Sequence, residues 1–132
     1  MEESVTCFLI DDDPDDREAF EIALNEIDSK IEYITASSGE EGLKMLDTSE
    51  IIPNYIFLDL NMPKMNGWEC LREIKKRPQL KHVPVIILST AELLKDRLEL
   101  QKLEIARYIT KPNTQAEFTR AISKVLIKEI VL

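Results

Sequence analysis

Five polar residues follow short, mostly apolar runs of the chain, and their types suit the handling of phosphate and of a metal ion. They are Asp11, Asp12, Asp59, Ser89 and Lys111. Apolar runs of this length are typical of buried strands, and parallel strands bring their carboxyl ends to one edge of a sheet. In open α/β sheets, ligands bind at that edge. We therefore expect the carboxylates, the hydroxyl and the amine to converge in one site, although they lie far apart in the sequence.

The three aspartates point to a divalent cation. Two like charges about 4 Å apart repel by about 4 kcal/mol at an effective dielectric constant of about 20. A group of carboxylates must therefore take up protons or bind a cation. Mg²⁺ suits this group because it accepts one or two carboxylates together with phosphate oxygens. A carboxylate beside Mg²⁺ can also attack phosphorus and form an aspartyl phosphate.

The position of each residue along the chain suggests its role. Asp59 stands alone after its strand and leads into a loop, so we expect it to be the nucleophile. Asp11 and Asp12 then serve as metal ligands, directly or through water. The ammonium group of Lys111 balances the phosphate charge, and the hydroxyl of Ser89 donates a hydrogen bond to a phosphate oxygen.

Strand and helix signals alternate along the chain. Asp13 and Pro14 are a typical helix start, with an aspartate cap and a proline at the first helical position. Strands are predicted at Val5–Ile10, Ile31–Ala36, Tyr55–Leu58, Val85–Leu88 and Arg107–Thr110. Helices are predicted from Pro14, from Glu40 to about Asp47, from Trp68 to about Arg77, from Ala91 to about Leu103 and, after a cap at Thr114, to about Glu129. Gly67 ends the loop that follows Asp59, where a glycine is expected to supply a backbone conformation that other residues resist.

This alternation predicts an α/β fold with a five-stranded parallel sheet and helices on both faces. The flavodoxin-like strand order 2-1-3-4-5 places strands 1, 3, 4 and 5 side by side, and these are the strands that end in the polar residues. The chain shows no repeat, linker or low-complexity tract, so we expect one domain over residues 1–132.

Composition excludes several classes of function. A net charge of −8 and an isoelectric point near 4.7 argue against direct nucleic-acid binding. No apolar stretch approaches the roughly 20 residues of a membrane span, and the first residues lack a signal-peptide pattern. Cys7 and Cys70 have no neighbouring cysteine or histidine, which fits free thiols in a cytoplasmic protein. The single histidine, His82, stands in a polar loop and is expected at the surface.

Four motifs, in order and across nearly the whole chain, resemble those of response-regulator receiver domains of the stand-alone kind. These motifs are Phe8–Pro14 (FLIDDDP), Phe57–Gly67 (FLDLNMPKMNG), Val83–Ser89 (VPVIILS) and Tyr108–Pro112 (YITKP). The resemblance implies that Asp59 is the phosphoacceptor, that Asp12 binds Mg²⁺ directly and that Asp11 acts mostly through water. It also implies a metal bond from the main-chain carbonyl of Asn61.

The resemblance further implies a switch and a set of partners. Ser89 would move toward the phosphoryl group, and Tyr108 would turn inward behind it. Phosphorylation by a histidine kinase or a histidine phosphotransfer protein would then change the output surface, meaning the predicted helix 91–103, the strand 107–110 and the last helix. That surface would bind a downstream protein, and a weak homodimer through it is left open. The chain would catalyse only its own phosphorylation and dephosphorylation, and so would be no enzyme toward other substrates.

Two departures from the family pattern concern the output surface and the pocket mouth. Thr90 stands where the family usually has alanine or glycine, and the segment 103–106 before the fifth strand contains no glycine. The larger side chain at position 90 is expected to slow the entry of phosphodonor or water.

Two alternative functions compete with this interpretation. A Mg²⁺-dependent phosphatase of the haloacid dehalogenase type would also use Asp11 and Asp13, Ser89 and Lys111 in this order. However, such enzymes need a further acidic motif after the lysine, and no aspartate follows Lys111 here. The other alternative is a binding module of the same fold that works without phosphorylation. It is disfavoured because every key position is filled.

Overall fold

A five-stranded parallel sheet forms the centre of the protein. The computed structural model describes residues 5–50, 52–62, 67–89 and 107–131. The strands are β1 (Thr6–Ile10), β2 (Glu32–Ala36), β3 (Tyr55–Asp59), β4 (Val85–Ser89) and β5 (Arg107–Thr110). The helices are α1 (Pro14–Ile27), α2 (Gly39–Thr48), α3 (Gly67–Lys75) and the C-terminal helix (Gln115–Val131), with a short 3₁₀ helix at Pro78–Leu80. The strand order is β2-β1-β3-β4-β5, as predicted, and every neighbouring pair is parallel.

The alternation of side chains along each strand divides the apolar core into two layers. Phe8 and Ile10 of β1 point into the layer under α2 and α3, whereas Cys7 and Leu9 point into the layer under α1 and the C-terminal helix. The same alternation runs through β3 and β4, whose residues are buried throughout. Successive side chains of a strand point to opposite faces of the sheet, so parity along a strand decides which layer a residue joins.

Helix α1 is fixed at its start by its cap and along its length by aromatic packing. The Asp13 side chain accepts a hydrogen bond of 2.8 Å from the main-chain N–H of Asp15, and Pro14 is the first helical residue, as predicted. The fully buried ring of Phe20 meets the ring of Phe57 edge-on, with centroids 5.0 Å apart. This contact seats the first half of α1 over β3, beside the carboxyl ends of the strands.

Gly67 lets helix α3 begin directly against the loop that follows β3. A Cβ atom at Gly67 would lie 2.2 Å from Leu60 Cα and 2.5 Å from the carbonyl oxygen of Asp59. Gly67 is helical and its φ does not lie in the left-handed region. The sequence-based reason for this glycine is therefore wrong, because the position demands space and not an unusual backbone conformation.

Most predicted elements occur within one or two residues of their expected bounds. Strands β3 and β4 extend one residue further, so that Asp59 and Ser89 are the last residues of their strands. The last helix starts after Thr114, whose hydroxyl accepts a hydrogen bond of 3.2 Å from the Glu117 N–H. The 3₁₀ helix at Pro78–Leu80 is not among the predicted elements, because a proline after a helix indicates only the end of that helix.

The predicted helix 91–103, Thr90 and the segment 103–106 lie outside the described residues. None of the helices that the structure describes is long and apolar enough to cross a membrane.

Candidate phosphoryl and metal site

Three of the predicted site residues continue side-chain rows that face α1. In β1 and β3 the rows Cys7–Leu9 and Tyr55–Phe57 belong to the layer under α1 and the C-terminal helix, and the next residues of the same parity are Asp11 and Asp59. Ile109 of β5 also lies in that layer, and Lys111 follows it by two residues. The alternation of the strands therefore aims both carboxylates and the ammonium group at the same space.

These side chains meet at the carboxyl edge of the sheet, together with a carboxylate from α1. Lys111 Nζ lies 2.7 Å from Asp16 Oδ2, 3.2 Å from Asp59 Oδ1 and 3.6 Å from Asp11 Oδ2. Asp11 and Asp59 are almost fully buried, with exposed side-chain fractions of 0% and 2%, whereas Lys111 and Asp16 expose 24% and 34%. The site is therefore a buried pair of acids with an ion pair at its mouth.

Backbone hydrogen bonds fix the segments that carry these groups. The Asp11 N–H donates to the Ala36 carbonyl at 3.0 Å, and the Lys111 N–H donates to the Ser89 carbonyl at 2.8 Å. The guanidinium of Arg17 donates to the Asp11 carbonyl at 2.8 Å. The carboxylate ends are held as well, because Asp11 Oδ1 accepts from the Asp13 N–H at 3.0 Å. The site is thus built on segments whose positions the sheet determines.

Burial makes Asp11 hard to ionise. Desolvation raises the pKa of Asp11 to about 8, with a further contribution from the negative charge of Asp59; the Asp13 N–H and Lys111 oppose the shift. Burial also raises the pKa of Asp59, against the Asn61 N–H and Lys111. Burial by itself would lower the pKa of the Lys111 ammonium group. The hydrogen bond to Asp16 and the negative charges of Asp11 and Asp59 outweigh that effect and raise the pKa.

We predict that the metal-free protein loses stability as the pH rises from about 4 to about 8. The unfolded chain releases the Asp11 proton near pH 3.9, whereas the folded protein keeps it until about pH 8. The folded state therefore binds more protons across this window, and the free energy of unfolding falls as the pH rises. Melting temperatures measured in a chelating buffer between pH 5 and 8.5 should show this decline.

The variant Asp11→Asn should flatten that decline and raise the melting temperature at pH 8. The amide oxygen can still accept from the Asp13 N–H, while the cost of a buried charge disappears. We expect a gain of about 1–3 kcal/mol, or on the order of 3–10 °C. Asp15→Asn, which changes an exposed acid in the first turn of α1, should leave the pH dependence in place. A variant Asp11→Asn that melts with the same pH dependence as the unmodified protein would contradict this assignment.

The remaining predicted residues lie in different environments. Ser89 is fully buried, and its hydroxyl has no hydrogen-bond partner within the described part of the chain. By parity, Ser89 continues the row Val85–Ile87, which faces α2 and α3. Tyr108 exposes 39% of its surface. Asp12 is half-buried, and Asn61 is exposed, with its N–H donating to Asp59 Oδ1 at 3.0 Å.

Asp16 is the residue that the sequence analysis missed. Its charge fits the positive end of α1, and nothing in a strand-end pattern points to it. However, Asp16 precedes Phe20 by four residues, so the two share one face of the helix. Since Phe20 faces the sheet, Asp16 must lie on the same side of α1, one turn closer to the carboxyl ends of the strands. This spacing is the sequence signal that would have found it.

The residues present fit a divalent metal ion. Carboxylate oxygens of Asp11, Asp16 and Asp59 lie within 4.8 Å of one another, and Asp12 is not part of this group among the described residues. Asp11 Oδ2 is buried without a hydrogen-bond partner there, which is costly unless a cation or proton satisfies it. All of these donors are oxygens, the ligands preferred by hard cations. The assignment of Asp12 and of the Asn61 carbonyl as metal ligands stays a prediction.

Comparisons with known proteins agree with the fold. A model of the response regulator receiver domain matches residues 7–123. The sensor histidine kinase CheAY of Helicobacter pylori is 31% identical over 115 residues, which make up 87% of this chain and 14% of CheAY. The chain thus matches a small part of that relative.

Two solved structures superpose on nearly the whole chain. The phosphorylated cyanobacterial phytochrome response regulator RcpA aligns with a TM-score of 0.86 and 30% identity, covering 95% of this chain and 93% of RcpA. The Mn²⁺-bound form of the response regulator Rcp1 aligns with a TM-score of 0.81 and 27% identity, covering 93% and 92% of the two chains. A phosphorylated protein and a metal-bound protein therefore share this fold.

Proposed function

We propose that this chain, which belongs to the family of response-regulator receiver domains, accepts a phosphoryl group on Asp59 and thereby acts as a switch in two-component or phosphorelay signalling. One observation carries the proposal: the buried carboxylate of Asp59 ends β3 and lies 3.2 Å from the ammonium group of Lys111, beside a second buried carboxylate. Such a carboxylate is an oxygen nucleophile with a counter-ion already in place for an incoming phosphate.

Mg²⁺ is the ion that we assign to the acidic group. Asp59, Asp12 and the main-chain carbonyl of Asn61 would bind it directly, and Asp11 would bind it mostly through water. When bound, Mg²⁺ neutralises negative charge on the transferred phosphoryl group. The Mn²⁺-bound structure of Rcp1 supports an ion in this fold, and the unpartnered Asp11 Oδ2 supports one in this chain.

The chain's own residues then perform the transfer. A carboxylate oxygen of Asp59 forms a bond to phosphorus while the bond from phosphorus to the donor breaks, and the donor group leaves with the electron pair and takes up a proton. The ammonium group of Lys111 binds a phosphoryl oxygen. The Asn61 N–H, which donates to Asp59 Oδ1, keeps the attacking carboxylate oriented. Positioning and charge neutralisation are the main requirements of phosphoryl transfer.

The switch follows from the buried hydroxyl of Ser89. A buried hydroxyl without a partner is costly, and turning toward a phosphoryl oxygen on Asp59 satisfies it. Tyr108, half-exposed on β5, then turns inward into the space that Ser89 leaves. The phosphorylated form thereby selects a different conformation of the output surface.

The partners follow from this chemistry. The phosphoryl group comes from a histidine kinase or a histidine phosphotransfer protein, and the output surface binds a downstream protein or a second copy of the chain. The match to a sensor histidine kinase and to a phosphorylated regulator supports such a pathway. We propose that the protein acts in the cytoplasm. We also propose that it catalyses only its own phosphorylation and dephosphorylation. The phosphatase alternative finds no support in the family match.

Intact-mass measurement tests the proposal. Incubation with acetyl phosphate and Mg²⁺ should add the mass of one phosphoryl group, and chelation of the metal should prevent the addition. Hydroxylamine should remove the group, because acyl phosphates react with this nucleophile. An unchanged mass, both with acetyl phosphate and with a phosphorylated cognate kinase, would instead indicate a binding module that needs no phosphorylation. Steady release of phosphate from many small esters would indicate a phosphatase.

A further inference from the structure

The tightest contact in the site is one that the proposed phosphoryl transfer does not use. Among the described residues, three carboxylates lie around Lys111 Nζ: that of Asp16 is nearest, at 2.7 Å, and those of Asp59 and Asp11 follow at 3.2 and 3.6 Å. The ammonium group thus forms its shortest bond with the acid that comes from α1 and not with the acids at the strand ends.

This arrangement is fixed by the packing of α1 against the start of the C-terminal helix. The Gln115 side chain donates to the Ala19 carbonyl at 3.0 Å, which holds the segment after Lys111 against α1. One turn before Ala19, Asp16 shares the sheet-facing side of the helix with Phe20, whose ring packs on Phe57. The backbone distance between Asp16 and Lys111 is therefore determined by the fold.

We propose that Asp16 is a positioning residue for Lys111: it holds the ammonium group at the mouth of the pocket and so keeps Asp11 and Asp59 available to Mg²⁺. The proposal deepens the function proposed above and rests on it for the identity of the ion.

The reason is competition between two cations for the same oxygens. A lysine ammonium group has three N–H donors, and Lys111 lies close enough to reach both buried carboxylates. Without Asp16, its donors have only Asp59 and Asp11 to bind among the acids of the group. Lys111 would then donate a hydrogen bond to Asp11 Oδ2, the buried oxygen that has no hydrogen-bond partner within the described residues. A metal ion would have to displace it.

The same contact can be released later. A phosphoryl group on Asp59 carries close to two negative charges and outweighs the single charge of Asp16. Asp16 and Lys111 both line a cavity of about 170 Å³ between α1 and residues 111–115. Both side chains therefore border open space.

Mg²⁺ affinity, measured by isothermal titration calorimetry on the full chain, tests the proposal without any phosphodonor. Asp16→Asn keeps the shape of the side chain and should weaken Mg²⁺ binding on the order of tenfold, as the loss of an outer-shell partner does at other metal sites. Because the titration needs no transfer step, it stays informative even if Asp59 were never phosphorylated. Equal far-UV circular dichroism spectra will show that the variants are folded.

Two comparisons separate the positioning of Lys111 from a general charge effect and from direct metal binding by Asp16. Asp15→Asn removes the same charge from the exposed side of the same helical turn and should change the affinity less than twofold. In a Lys111→Ala background, Asp16→Asn should also have less than a twofold effect, because no ammonium group remains to be held. A tenfold loss that persists in that background would overturn the proposal and make Asp16 a metal ligand. Unchanged affinity of the single variant, or no Mg²⁺ binding by the unmodified chain, would also overturn it.

Discussion

Asp59→Asn is expected to abolish the incorporation of phosphate completely. The amide removes the nucleophilic oxygen but keeps an oxygen that can accept from the Asn61 N–H and from Lys111, which lie 3.0 and 3.2 Å from Asp59 Oδ1. The variant should therefore fold as the unmodified chain does and fail only in chemistry. Intact mass after incubation with acetyl phosphate and Mg²⁺ measures the result directly.

The control for this experiment is Asp15→Asn, which changes an exposed acid and should be phosphorylated normally. Asp11→Asn is also informative, because it keeps the nucleophile and should retain a large part of the incorporation. If Asp59→Asn still gained one phosphoryl group while Asp11→Asn gained none, the nucleophile would be Asp11 and the phosphatase interpretation would return.

Gly67→Ala is expected to have the largest effect on stability. The new methyl group would lie 2.2 Å from Leu60 Cα and 2.5 Å from the Asp59 carbonyl oxygen, and backbone atoms cannot move aside as a side chain can. We expect a loss of about 3 kcal/mol or more, a large part of the roughly 5–15 kcal/mol that stabilise a typical domain. Urea denaturation gives the free energy of unfolding. Phosphate incorporation should fall too, since Asp59 would be displaced.

Gly42→Ala is the matched control within another helix. There the methyl group would meet the Ile10 side chain, with the closest atom, Cδ1, at 2.6 Å. The Cγ1 atom of Ile10 would lie at 2.8 Å, and Ile10 is fully buried, so its side chain must shift at a cost of about 1–3 kcal/mol. Alanine favours the helix by about 1 kcal/mol over glycine. We expect a net loss of about 2 kcal/mol or less, smaller than that of Gly67→Ala. Equal losses for the two variants would show that backbone contact is not what makes Gly67 necessary.

The sequence predicts the sheet well because β1, β3 and β4 are short apolar runs that lead into an aspartate or a serine. The predicted bounds agree with all five strands to within one residue at each end. The expected convergence of Asp11, Asp59 and Lys111 follows from parallel strands that end at one edge. These are local signals combined with one topological rule, and the structure shows the same strand order and the same convergence.

The contributions of Asp16 and Gly67 could not be predicted in the same way, since each depends on a contact between separate elements. The contact of Asp16 with Lys111 depends on the packing of Phe20 against the sheet and of Gln115 against α1. The need for Gly67 exists only because α3 begins against Leu60. An acid in the first turn of a helix and a glycine after a loop can each be explained by local structure alone. Those local explanations therefore give no sign of the contacts that these residues make between elements.

The parity of the strands has a consequence for how a signal leaves the pocket. Asp59 and Lys111 belong to the rows that face α1, whereas Ser89 belongs to the row that faces α2 and α3. A phosphate bound by Asp59, Lys111 and Ser89 would contact side chains from both faces of the sheet at its carboxyl edge. Substitutions that repack the apolar layer beneath α3 should therefore alter how long the phosphate survives.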